Sequence, residues 1–316
     1  MNQQFSSRSI LFVVTMYILT ASPLKASDTI QNRYIRVTSK SLGAELTSIK
    51  LKHDNSEYLW QGDSLTWADH AILQFPIIGN LKDNSYSLNG RIFKMMSHGF
   101  ARVSNFIKVR QGDDFIVYLL ESDAKTRKMY PYDFRFYVKY KLKNHDLLVE
   151  FTVENTGKEK MYFTLGYHPG FNCPLNTTKG NFNDYYLEFG KQETLTRTYL
   201  ENNLISDHKE DIVLKNKCLK LDKKLFKDDA LVFEKINSRS VSLKSTQNNK
   251  SVTVKMNDTH RLGIWSPAVG GKFVCIEPWF GLADEKNYQV DFNKKNGMIK
   301  LFSKQKFKTL FEIEIK

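Results

Sequence analysis

Between Phe134 and Leu142, apolar or aromatic side chains stand at 134, 136, 138, 140 and 142, with Arg135, Lys139 and Lys141 between them. A two-residue period is the signature of a strand with one buried and one wet face, and a helix cannot accommodate it. Lys143-Asn144-His145-Asp146 reads as a turn. Leu147 to Val153 then resumes the alternation, with Glu150 and Thr152 on the other face, so the two runs read as a hairpin. Asp114–Leu120, Ser251–Met256 and Phe311–Ile315 read as further strands, and Asn89-Gly90 as a tight turn between two more. No stretch carries a long, well-capped helical period. The expected fold is all-β, a large antiparallel sandwich in which each sheet keeps one solvated face.

The chain has 316 residues, and the first 26 read as a removable export signal. Arg8 precedes the apolar run Ile10–Ala21, Ser22-Pro23 breaks it, and Leu24-Lys25-Ala26 offers a cleavage site. An uncleaved membrane anchor is the alternative, but the run is short for a bilayer, and no later segment is apolar enough to span one. The expected location is therefore periplasmic or secreted. Residues 27–316 carry no linker rich in Pro, Gly and Ser and no internal repeat, so they are expected to form a single domain. Three cysteines, Cys173, Cys218 and Cys275, are too few for a disulfide-stapled fold and read as buried free thiols. The net charge of +13 comes from scattered lysines, and even the densest stretch, Lys215–Lys227, includes Asp222. Such a distribution serves solubility, and nucleic acid is not expected as a partner.

Three segments break the alternation, and each carries a titratable residue. Phe75–Arg102 ends in His98-Gly99-Phe100-Ala101-Arg102. Thr164–Leu175 (TLGYHPGFNCPL) places His168 before Pro169, between Gly166 and Gly170. Proline removes a backbone donor and biases its predecessor towards extended geometry, while glycine permits unusual backbone shapes, so this segment is not expected to be a regular central strand. In Ile264–Glu285 the apolar run Phe273–Ile276 stops at Glu277-Pro278-Trp279. A carboxylate at the end of a buried strand beside a tryptophan is placed to have its pKa raised towards that of a general base. His53, His70, His145, His208 and His260 show no such context and read as surface or structural residues.

Two histidines and a glutamate fit two chemistries. They could form a two-His-one-carboxylate metal site, although separations of 70 and 109 residues give metal no support. Alternatively, they could form an acid/base pair with a second histidine holding the substrate.

The segments "FPIIGNLKDNSYSLNG", "HGFAR", "GYHPGFNCPL", "DDALVF" and "FVCIEPWFGLADE", in that order, resemble the aldose 1-epimerase (galactose mutarotase) superfamily, specifically its compact branch of mutarotase-like proteins. The early "GAELTSIK…EYLW" fits as well, so the likeness runs from about Gln31 to the C-terminus. The resemblance implies a large antiparallel β-supersandwich with a site in a groove on one sheet. It also implies interconversion of the α and β anomers of a free sugar, without metal or other cofactor and with a small-molecule sugar as substrate. Carried over motif by motif, Glu277 is the general base on the anomeric hydroxyl and His168 the general acid on the ring oxygen. His98 holds and polarises the sugar, and Asp229 accepts hydrogen bonds from its hydroxyls. Trp279 offers the sugar a flat face or packs beneath it.

The chain departs from the family at Asn80, where well-characterised mutarotases carry an arginine. Asparagine makes none of that arginine's charged, forked contacts, and Arg102 is the candidate to replace it. The competing expectations are a sugar-binding protein on the same scaffold without catalysis, a metal enzyme using His98, His168 and Glu277, and a hexose-6-phosphate 1-epimerase.

Overall fold

The structure, a computed structural model, describes residues 27–175, 180–287 and 291–316. The expected export signal, residues 1–26, lies outside the described residues. The fold is the expected antiparallel sandwich. A nine-stranded sheet faces a seven-stranded one, accompanied by a three-stranded sheet and two two-stranded sheets. No helix among the described residues is long and apolar enough to cross a membrane.

The expected hairpin lies within the nine-stranded sheet. Phe134–Lys143 pairs with Asp146–Asn155 from Lys143↔Asp146 to Phe134↔Asn155, and Asn144 turns the corner at φ +53°. Every second residue, Phe134, Phe136, Val138, Tyr140 and Leu142, is buried. Asn89-Gly90 joins Ser85–Leu88 to Arg91–Lys94, as expected.

The seven-stranded sheet positions the site. Its strands run in the order Leu204–Val213, Thr194–Glu201, Leu231–Phe233, Arg261–Trp265, Phe273–Trp279, Gly166–Asn172, Ala71–Gln74. One face closes the core. Leu73, Tyr167, Phe171, Leu262, Ile264 and Ile276 join the main apolar cluster, and Tyr167 meets Phe151 of the opposite sheet at 5.7 Å between ring centroids. The other face is a groove.

Two expectations fail here. The segment around His168 is a central strand, Gly166–Asn172, paired on both edges and buried throughout. Its period of two is intact, with Tyr167, Pro169 and Phe171 facing the core and Gly166, His168, Gly170 and Asn172 facing the groove. Pro169 is tolerated because the ladder to Phe273–Trp279 holds at Gly166 and at 170–172 and is open between them. Likewise, Glu277 does not end its strand, which continues through Pro278 to Trp279.

All three cysteines are free. Cys173 and Cys275 are buried as expected, whereas Cys218 is half-buried because it begins the short edge strand Cys218–Lys220.

Candidate active site

Strand register assembles the site. On the groove face Val232 pairs with Gly263, Gly263 with Glu277, and His168 with Ile72. Gly166↔Trp279 and Gly170↔Cys275 share one register, which sets His168 opposite Glu277. The result is a row across five strands: Val232, Gly263, Glu277, His168, Ile72. Adjacent strands lie about 4.8 Å apart, so two side chains 109 residues apart in sequence become neighbours on the floor. The row two residues along reads Arg261, Trp279, Gly166, Gln74, and the row on the other side Trp265, Cys275, Gly170.

The glycines in this grid are set by space. Gly166 and Gly170 do not adopt positive φ, contrary to the conformational role expected for them. A Cβ on Gly166 would lie 2.1 Å from Gln74 Oε1 and 2.9 Å from Trp279 Cδ1. On Gly170 it would meet Trp67 at 2.7 Å, and on Gly263 it would meet the Trp279 indole at 2.3 Å. Each glycine makes room for a large groove-face neighbour.

His98 arrives from outside the sheet. Its backbone is left-handed at φ +62°, followed by Gly99 at φ +73°. The turn is pinned where His98 N–H donates to Gly79 O (2.9 Å) and Phe75 N–H donates to His98 O (3.1 Å). Gly99 is required here, since a Cβ would lie 2.2 Å from Phe75 O.

Glu277 Oε1 lies 3.2 Å from His168 Nε2. Gln74 Nε2 is 3.3 Å from Glu277 Oε2 and 3.0 Å from His98 Nδ1. The Gly79 N–H also donates to His98 Nδ1 (3.2 Å). A nitrogen that accepts a backbone N–H carries no hydrogen, so donor logic places the His98 ring hydrogen on Nε2. The His98 and His168 rings meet edge to face at 5.6 Å. Trp67 lies against His168 at 5.0 Å and, with Trp265, makes an aromatic wall.

Burial shapes the titration of these groups. It pushes the Glu277 carboxyl well above its ordinary value; the Trp279 indole and the Gln74 amide oppose the shift, and the Asp229 charge adds to it. It pushes the His168 imidazole well below its ordinary value, helped by His98 and Arg102. His98 is lowered to about 4, by burial foremost and then by Arg102, and is neutral at neutral pH.

The floor opens into a cavity of about 320 Å³. All six residues singled out from the sequence line it: His98, Arg102, His168, Asp229, Glu277 and Trp279. Asp229 rather than the exposed Asp228 reaches the cavity, and Trp279 lies against Gly263 at its edge. Asn80 also lines it. Arg102 is the one permanently charged cation among the described lining residues, and its Nη2 lies 3.3 Å from Asp69. Sequence reasoning missed Gln74, Trp67 and Trp265. Gln74 carries the signal that marked Glu277, a polar residue closing an apolar run (Ala71–Leu73) shortly before a proline.

His168, Cys275 and Glu277 bring three possible donor atoms within 4.8 Å, a set in which Cys275 stands where His98 was expected. Burial holds the Cys275 thiol well above its ordinary pKa, and His168 Nε2 lies against the Glu277 carboxylate.

A sequence profile of the aldose 1-epimerase family matches residues 28–291. The chromosomal protein LacX of Lactococcus lactis subsp. lactis is 35% identical over 263 residues, covering 80% of this chain and 87% of the relative. A galactose mutarotase related enzyme from Lactobacillus acidophilus superposes with a TM-score of 0.87 at 34% identity, over 92% of this chain and 97% of its own. A galactose mutarotase-like protein from Lactobacillus casei gives 0.86 at 29% identity, over 92% and 100%.

Proposed function

The chain belongs to the aldose 1-epimerase family, and we propose that it interconverts the α and β anomers of a free aldose, outside the cytoplasm, with residues 1–26 acting as its export signal. The observation that carries this reading is the buried His168–Glu277 pair, 3.2 Å apart on the floor of a sugar-sized cavity.

Anomer exchange needs one proton removed and one delivered on neighbouring oxygens. Burial favours a pair with no net charge, which means one proton shared between Glu277 and His168. Two states satisfy this condition: carboxylate with imidazolium, and carboxylic acid with imidazole. The two shifts favour the second at rest, so ring opening draws on the minor first state and converts it into the second. Glu277 takes the proton from O1, the C1–O1 bond becomes a carbonyl, the C1–O5 bond breaks, and O5 takes the proton from His168. Rotation about C1–C2 followed by the reverse steps closes the ring on the other face. The pair stays neutral throughout, so the buried floor never holds an isolated charge. General acid and general base each contribute roughly a hundred- to ten-thousandfold. His98, neutral and donating through Nε2, holds the sugar near O5, Asp229 accepts from its hydroxyls, and Trp279 bounds the cavity.

Asn80 favours the second reading, a sugar-binding protein without turnover. A hexose 6-phosphate is disfavoured because Arg102, the one permanent cation among the described lining residues, already faces Asp69. Glu277→Gln separates the two main readings. Under anomer exchange it abolishes turnover and leaves calorimetric sugar binding within about threefold. A wild-type protein that binds sugar but turns none over would establish the binding reading.

A further inference from the structure

We infer that Gln74 is a positioning residue for the acid/base pair: its single side-chain amide nitrogen donates one hydrogen to Glu277 Oε2 and the other to His98 Nδ1, tying the base to the sugar-holding histidine. This rests on the reading of Glu277 as the base.

Gln74 is fully buried at the end of its strand, in the grid row beside the pair. An amide nitrogen has two hydrogens, and the distances of 3.3 and 3.0 Å use both. Its orientation is fixed on two sides. Turned over, the amide would set its one oxygen against both the Glu277 carboxylate and the bare His98 Nδ1. As placed, Oε1 occupies the space left by the missing Cβ of Gly166. Oε1 has no hydrogen-bond partner among the described residues, so the nitrogen's two contacts hold the side chain at the cost of the oxygen's.

The consequence for Glu277 follows from geometry. Oε1 faces His168 and Oε2 faces Gln74, so the carboxylate plane is held between the two. Other titratable or charged groups face the site from each neighbouring element: Cys275 on its own strand, Asp229 from the loop before Leu231–Phe233, and His98 and Arg102 from the turn around Gly99. Gln74 is the neutral donor among them and favours the ionised base.

The test replaces Gln74 by Leu, of similar size and without donors, and by Glu, whose carboxyl has at most one hydrogen and can serve only one neighbour. The Glu277 carboxyl is titrated directly by carbon-13 NMR, identified through its loss in Glu277→Gln, so this arm does not depend on turnover. Gln74→Leu is expected to move the Glu277 midpoint up by about one pH unit, a tenfold change in its ionisation constant. The acid limb of kcat should move with it, with KM changed by less than about twofold. Gln74→Glu should move the midpoint further, through like-charge repulsion. A midpoint unchanged in whichever variant folds, or a change confined to KM, overturns the role. Absence of turnover in the wild type would instead refute the proposed reaction while leaving the NMR comparison to judge Gln74.

Discussion

Gly166→Ala tests whether the groove glycines are there for room. The backbone at Gly166 is not in the left-handed region, so alanine imposes no conformational strain. The cost is entirely in contacts. The new Cβ would lie 2.1 Å from Gln74 Oε1, where ordinary contact needs 3.4 Å or more, and 2.9 Å from Trp279 Cδ1. Gln74 must move by more than an ångström, which breaks its contacts to Glu277 and His98. Overpacking of this kind costs about 1–3 kcal/mol. Two buried groups losing their donor add about 1–3 kcal/mol. Together these are about 2–6 kcal/mol, and at roughly 2–4 °C per kcal/mol Tm should fall by about 4–24 °C. Scanning calorimetry measures this, and polarimetry on the same sample should show kcat down at least about tenfold. Gly166→Ala combined with Gln74→Ala removes the main clash and should recover several degrees of Tm but no activity. Wild-type Tm and kcat in Gly166→Ala would refute the account of the glycine. A loss of Tm unchanged in the double variant would refute the assignment to Gln74.

Further predictions concern charge and metal. The raised Glu277 carboxyl favours the folded state while protonated and loses that contribution as pH rises through its folded value. Glu277→Gln should therefore be more thermostable than wild type, by a margin that widens between pH 5 and 8 in calorimetric scans. His98 has the opposite sign. Its folded value of about 4 lies below the unfolded 6.5, so its contribution is complete above 6.5 and lost as pH falls towards 4. His98→Asn should flatten the acid-side loss of stability by about 2–3 kcal/mol in urea titrations at pH 4 and 7. Because the proposed proton transfers use only Glu277 and His168, dialysis against a chelator should leave turnover unchanged within error.

The fold was legible wherever one strand face is apolar and the other polar, as in Phe134–Lys143 and its partner. Gly166–Asn172 misled because its groove face consists of Gly, His, Gly and Asn. Those residues and Pro169 read as a turn, although the alternation of Tyr167, Pro169 and Phe171 is regular. The glycines were noticed for the wrong reason, since sequence shows that a side chain is absent but not what fills the space. His98, His168 and Glu277 were legible as breaks in pattern, and Asp229 through its motif. Their meeting was not, because it depends on strand register between segments far apart in the chain. Gln74 carries the same signature as Glu277, but an amide does not titrate and so gives no sign of acid/base chemistry. Trp67 and Trp265 gave no signal, since an aromatic residue near a turn is ordinary.

The most direct test is polarimetry of freshly dissolved α-glucose, α-galactose and pentoses with and without protein lacking residues 1–26. The account predicts faster relaxation to an unchanged final rotation for at least one sugar, abolished in Glu277→Gln. Relaxation no faster than in buffer for every sugar would contradict it.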